Sequence, residues 1–71
     1  MKAARRGDAG TPLPRSIGRP ATDALRLAGY DSLERLDGVS ARALLQLHGV
    51  GPTAIARLRD ALAATGRAFG D

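Results

Sequence analysis

The stretch that decides the fold is Leu44-Leu45-Gln46-Leu47-His48-Gly49-Val50-Gly51-Pro52-Thr53-Ala54-Ile55-Ala56-Arg57-Leu58. An apolar, helix-spaced pattern runs up to Leu47 and stops at a Gly-Val-Gly turn. Pro52 opens a second pattern whose stripe is Ile55, Leu58 and Leu62. Proline suits the first helical position, where a missing N–H costs no intrahelical bond. Glycine on both sides of Val50 permits backbone conformations that a Cβ penalises. The stretch reads as helix, hairpin, helix, with Val50 turned inward as a plug. The hairpin N–H groups then face outward beside the unpaired N–H groups of the last helix. Free donors and the positive end of a helix dipole make such a junction a natural anion site.

Side chains around the junction fit the same chemistry. Thr53 offers a hydroxyl in the first turn, Arg57 lies one turn on and away from Ile55 and Leu58, and His48 flanks the hairpin. Arg19, at the start of the first helix, reaches the same ligand if the two helix N-termini lie side by side. The candidate site is therefore Arg19, His48, Gly49, Val50, Gly51, Thr53 and Arg57. Each has a plainer reading. Gly-Val-Gly alone is a tight turn, Arg57 is a solvated residue that pairs with Asp60 at i+3, Thr53 fills a first turn, His48 packs, and Arg19 simply precedes a helix.

Upstream, β-branched and aromatic residues are sparse while Ala and Leu dominate, so helices and no strands are expected. The first helix starts near Arg19, with Pro20 at its first position and a stripe of Ala21, Ala24, Leu25 and Ala28, and Gly29 ends it. Asp31-Ser32-Leu33-Glu34 has the form of a capping box, the aspartate meeting exposed N–H groups and Glu34 reaching back. It opens a short helix that buries Leu33 and Leu36 and stops at Gly38. Ser40 caps a third helix presenting Leu44 and Leu47. The last helix runs from Pro52 to about Thr65, with Gly66 ending it and Phe69 folding back beneath the bundle. Isolated helices this short are marginal in water, so they must share one core. Its expected members are Ile17, Leu25, Tyr30, Leu33, Leu36, Val39, Leu44, Leu47, Val50, Ile55, Leu58 and Leu62.

The segment Leu25-Arg26-Leu27-Ala28-Gly29-Tyr30-Asp31 overlays Leu45-Gln46-Leu47-His48-Gly49-Val50-Gly51 at an offset of 20 residues. Two leucines and a glycine coincide, an apolar residue follows each glycine, and helices flank both copies. This reads as a pseudo-symmetric pair of helix-hairpin-helix units. Asp31 stands where the second copy has Gly51, and a carboxylate there repels phosphate. The first hairpin is accordingly structural and the second is the candidate site.

The chain has 71 residues, enough for one small domain. With no cysteine and one histidine, disulfides, thiolate metal sites, thiol nucleophiles and a metal or cofactor cage are not expected. No apolar run reaches the roughly 18 residues of a membrane span, and no apolar stretch follows Lys2, Arg5 and Arg6 to make a signal peptide. The cytoplasm is the expected compartment. The net charge of +4 is concentrated early: Lys2, Arg5, Arg6, Arg15 and Arg19 face only Asp8, while residues 21–71 balance six arginines with six carboxylates. Glycine, proline and scattered charge without a hydrophobic period mark residues 1–14 as a disordered basic arm, either solubilising or grazing DNA. Residues 15–71 form the domain.

On the residues of the second hairpin, the chain resembles the helix-hairpin-helix motif. Residues 13–69 resemble the C-terminal domain of the bacterial RNA polymerase alpha subunit and its small stand-alone relatives, in the order of an extended lead-in, three helices, a glycine hairpin and a final helix. The resemblance implies a compact all-α bundle of four to five helices, of tandem helix-hairpin-helix or SAM-like type. It also implies contact with the DNA backbone around the minor groove, through the start of the first helix near Arg19 and through Gly49, Gly51 and Thr53. The chain departs from the family at Pro20, where an arginine is favoured, at Thr53 and Ala54, where lysine and serine are favoured, and at Ile55, where the general motif has alanine. The expected function is a monomeric module that binds duplex DNA through its phosphates, which position a protein without reading sequence. The alternative is a helical protein-interaction adaptor whose partner is a transcription or repair protein. Catalysis is not expected, because the single histidine has no carboxylate near it in sequence and a domain this small has little room for a ligand pocket.

Overall fold

Glycine and proline punctuate this chain, and the elements lie between them. In the computed structural model, which describes residues 10–70, a 3-10 turn over Arg15–Ile17 is followed by α1 (Arg19–Leu27), α2 (Leu33–Leu36), α3 (Ala41–Leu45) and α4 (Pro52–Ala64). The described residues are all-helical and contain no strand. Among the described residues no helix is long and apolar enough to cross a membrane.

Several helix ends are fixed by an identifiable residue. Gly18, at φ +88°, turns the chain into α1, and its carbonyl accepts from the Thr22 N–H (3.1 Å) and hydroxyl (2.8 Å). After α1, Gly29 at φ +95° lets its own N–H reach Arg26 O (3.0 Å) and the Tyr30 N–H reach Leu25 O (2.8 Å), a Schellman closure. Gly66 closes α4 in the same way, with Arg67 donating to Leu62 O at 2.8 Å. Ser40 caps α3 through its hydroxyl, which accepts from the Ala43 N–H at 3.3 Å. The C-terminal segment returns over the α2–α3 junction. Gly38 donates to Ala68 O and Gly70 to Val39 O, both at 2.9 Å, and Phe69 between them is buried. The Arg59 guanidinium lies 5.3 Å from the centre of the Phe69 ring.

The core holds Ile17, Leu25, Leu33, Leu36, Leu44, Val50, Ile55, Leu58, Leu62 and Phe69, together with Ala21, Ala41 and Ala54. Tyr30, Val39 and Leu47, expected inside, are half-buried against it. The three alanines are buried as fully as the large side chains, and a search for large apolar residues passes over them. Ala28, assigned to the inner stripe of α1, is exposed.

Two sequence expectations give way here. The first is the capping box. Ser32, not Asp31, is the residue before α2, and its side chain makes no capping bond. Asp31 instead pairs with Arg35 one turn on (3.0 Å). Glu34 does not reach back; it grips Thr11, accepting from the N–H (2.7 Å) and the hydroxyl (2.9 Å). The Thr11 carbonyl in turn accepts from the Leu33 N–H at 3.0 Å and serves as the cap. Residues 10–14, assigned to the arm, are therefore part of the folded body, with Leu13 against the core. The rest of the arm, residues 1–9, lies outside the described residues.

The second is the repeat. Both glycines have positive φ, +95° at Gly29 and +104° at Gly49, but the matched leucines point differently. Leu25 is wholly buried whereas its counterpart Leu45 is 40% exposed, and Leu27 is 90% exposed whereas Leu47 is half-buried. The Val50 N–H bonds Leu47 O (3.1 Å) in place of the Leu45 carbonyl that symmetry with Tyr30 requires. The two segments share a turn residue and not an inward face.

Candidate nucleic-acid interface

Gly49 positions the hairpin. A Cβ at this residue would lie 2.8 Å from the Pro20 carbonyl oxygen and 3.6 Å from the Ala24 Cβ. The hairpin thus sits directly on the first turns of α1, and only glycine allows both the approach and the positive φ. Gly51 is different. Its φ of −117° and ψ of −178° are extended backbone that any residue adopts, and nothing lies within 4 Å of a Cβ there. The expectation that both glycines are conformationally required holds for Gly49 alone. At Gly51 the missing side chain leaves open space in front of α4.

Val50 is buried as the expected plug. Its N–H, however, is occupied by Leu47 O, so it drops out of the anion cradle. The remaining donors are the N–H groups of Gly49, Gly51, Thr53 and Ala54, which have no acceptor among the described residues. Ile55 is the first residue of α4 to close a bond back, to Gly51 O at 3.0 Å. Thr53 and Arg57 are exposed. Arg57 makes no ion pair with Asp60 or any other carboxylate among the described residues. The end of α4 therefore offers several amide donors, a hydroxyl and an uncompensated cation to one anion.

The other two candidates, Arg19 and His48, line grooves of their own. Arg19 lines a shallow groove of about 510 Å³ with Arg15, Gly18, Thr22, Asp23 and Arg26. Arg19 and Arg26 are seven residues apart, nearly two turns, and so share a flank of α1. The hairpin packs against Pro20 and Ala24 on a different flank. None of the three arginines has an ion-pair partner among the described residues. Arg15 and Arg26 were not singled out from sequence, although the spacing of Arg19 and Arg26 carried the signal. His48 is exposed and lines a second, apolar groove with Ala24, Leu27, Ala28 and Leu47. Because Arg15 and Arg19 belong to the 3-10 turn and α1, the body is not neutral. Residues 10–70 hold eight arginines against five carboxylates.

One carboxyl is perturbed. The Thr11 N–H above all, then the Glu34 N–H, the Thr11 hydroxyl and the Arg67 guanidinium (3.4 Å away), hold Glu34 below its ordinary value. This belongs to the clasp on residues 10–14 and not to the hairpin. Among the described residues no cluster of three or more His, Cys, Asp or Glu stands ready for a metal. Compared with known proteins, the chain matches no family model, no curated protein and no solved structure.

Proposed function

We propose that the chain is a small module that binds the backbone of duplex DNA with little or no sequence preference, through the N-terminal end of α4. The observation that carries this reading is the set of unpaired N–H groups at Gly49, Gly51, Thr53 and Ala54, with Thr53 and Arg57 beside them. Gly51 adds open space in which a phosphate oxygen approaches the backbone. The groove of Arg15, Arg19 and Arg26, on α1 and the 3-10 turn before it, supplies a second cationic surface. Most of these donors are backbone amides, which suit phosphate oxygens and carry no sequence information, so affinity comes from phosphates and specificity is weak.

The test is an NMR titration of the chain with a short duplex at low salt. The expected shifts fall at Gly49, Gly51, Thr53 and Arg57. Gly51→Glu should abolish them while leaving the fold intact, because Gly51 is in extended backbone with open space around it. A duplex that leaves Gly51 and Thr53 unmoved sinks the reading.

A further inference from the structure

We propose that residues 10–14 form a strap that detaches from the folded body as one unit, with the Glu34 carboxylate as its catch. The unit has a sharp boundary. From Arg15 onward the chain is tied by its own turn, where Gly18 donates to Arg15 O at 3.0 Å and Ile17 is buried. Across residues 10–13 the only hydrogen bonds among the described residues are those of Thr11. Its carbonyl accepts from Leu33, and its N–H and hydroxyl both donate to Glu34. Pro12 and Pro14 have no N–H to add, and Leu13 rests half-buried on the core. Two of the three bonds therefore end on one carboxylate, and a charged acceptor makes them the stronger ones. A segment held at so few points opens at a lower cost than the core does.

Two features beneath the strap set the balance between closed and open. Gly10 stands over Glu34 and Ser32 at φ +117°, and a Cβ there would run into the Glu34 carboxyl and lie 3.4 Å from the Ser32 Cβ. Ser32 is 4% exposed, and its hydroxyl has no partner among the described residues. A buried hydroxyl without a partner carries a desolvation cost that water relieves. Opening thus recovers at Ser32 part of what it loses at Thr11. The charged groups around the catch are Arg67 of the C-terminal return, 3.4 Å from Glu34, and, on α2 and its flanks, the Asp31–Arg35 pair and Asp37, which accepts from the Ala68 N–H. The strap itself carries no charge. Protonating Glu34 removes the charged acceptor of Thr11 and the partner of Arg67 together. The strap is therefore held above the ordinary carboxylate value, and opening becomes easier as the pH falls through the lowered one. The inference does not rest on DNA binding.

The test is amide hydrogen exchange on the intact isotope-labelled chain over a series of low denaturant concentrations. The Leu33 N–H is the first of α2, so Thr11 O is its acceptor and its exchange reports the strap. The Leu58 N–H, in the middle of α4 on a fully buried residue, reports the body. After correction for intrinsic rates, Leu33 should exchange at least about tenfold faster than Leu58, with a weaker dependence on denaturant. Its protection should fall below pH 4.5 in the parent chain and stay level across that range in Glu34→Gln. Gly10→Ala keeps the carboxylate but sets a Cβ against it, and should speed Leu33 exchange about tenfold at neutral pH. The proposal is overturned if Leu33 and Leu58 exchange together with one denaturant dependence, if the acid response survives in Glu34→Gln and so belongs to Asp31 or Asp37, or if Gly10→Ala leaves Leu33 unchanged.

Discussion

Gly49 and Gly29 occupy matching sequence positions and have similar positive φ, yet they do different work. A Cβ at Gly29 meets nothing within 4 Å, whereas one at Gly49 meets the Pro20 carbonyl at 2.8 Å. Gly29→Ala therefore carries only the conformational cost, about 1–2 kcal/mol. Gly49→Ala adds displacement of the hairpin from α1 and should cost about 2–4 kcal/mol. Denaturant unfolding of the two variants reads the difference, and equal losses would mean that the hairpin is not seated on Pro20. Glu34 makes the second residue-scale prediction. Its carboxyl is held below the ordinary 4.5 chiefly by the Thr11 N–H, so its charged form favours the folded state. That stabilisation is present above the ordinary value and is lost as the pH falls through the folded one. Glu34→Gln should melt lower than the parent chain at neutral pH, and the two midpoints should converge as the pH drops below 4.5. A constant gap across the acid range would show that the clasp does not depend on the carboxylate.

Among the elements, helix existence was legible from glycine and proline, because each marks a backbone requirement independent of packing. Pro20 and Pro52 lie at helix starts, Gly29 and Gly66 lie just past helix ends, and Ser40 caps α3. Which face turns inward was less legible. Leucines at 25, 27, 45 and 47 look alike in sequence, and only tertiary packing decides that 25 goes in and 45 stays out. The clasp at residues 10–14 was invisible for a related reason. It is held by backbone groups of Thr11 and by one carboxylate 23 residues away, which leave no hydrophobic period. At the hairpin, the residue types pointed to an anion site, but the Val50 amide's bond to Leu47 is a matter of turn geometry that no residue type announces. The non-equivalence of the two segments is testable. Leu25→Ala should cost about 2–5 kcal/mol and Leu45→Ala under about 1 kcal/mol. Similar losses in thermal or denaturant unfolding would restore the symmetric pair.

For the whole molecule, the question is how the +4 charge is divided between work and solubility. A chain of 71 residues has a stability of only about 4–11 kcal/mol, so a functional truncation must spare the body. Residues 10–14 are bonded to α2, and the cut belongs before Gly10. Residues 1–9 then take away Lys2, Arg5 and Arg6 with Asp8, half of the net charge. Salt dependence separates the contributions, since each phosphate neutralised contributes roughly −0.9 to the slope of log affinity against log salt. About four to six contacts for the intact chain correspond to a slope of about −4 to −5. If the three early cations each touch a phosphate, the chain beginning at Gly10 should bind with a slope shallower by about 2–3, and its residual binding should still vanish in Gly51→Glu. If the slope is unchanged, residues 1–9 serve solubility and the α4 end with the Arg15, Arg19 and Arg26 groove carries the interaction. Loss of all binding in the shortened chain, with its fold intact by circular dichroism, would assign the affinity to the early cations and leave the hairpin amides without a role in it.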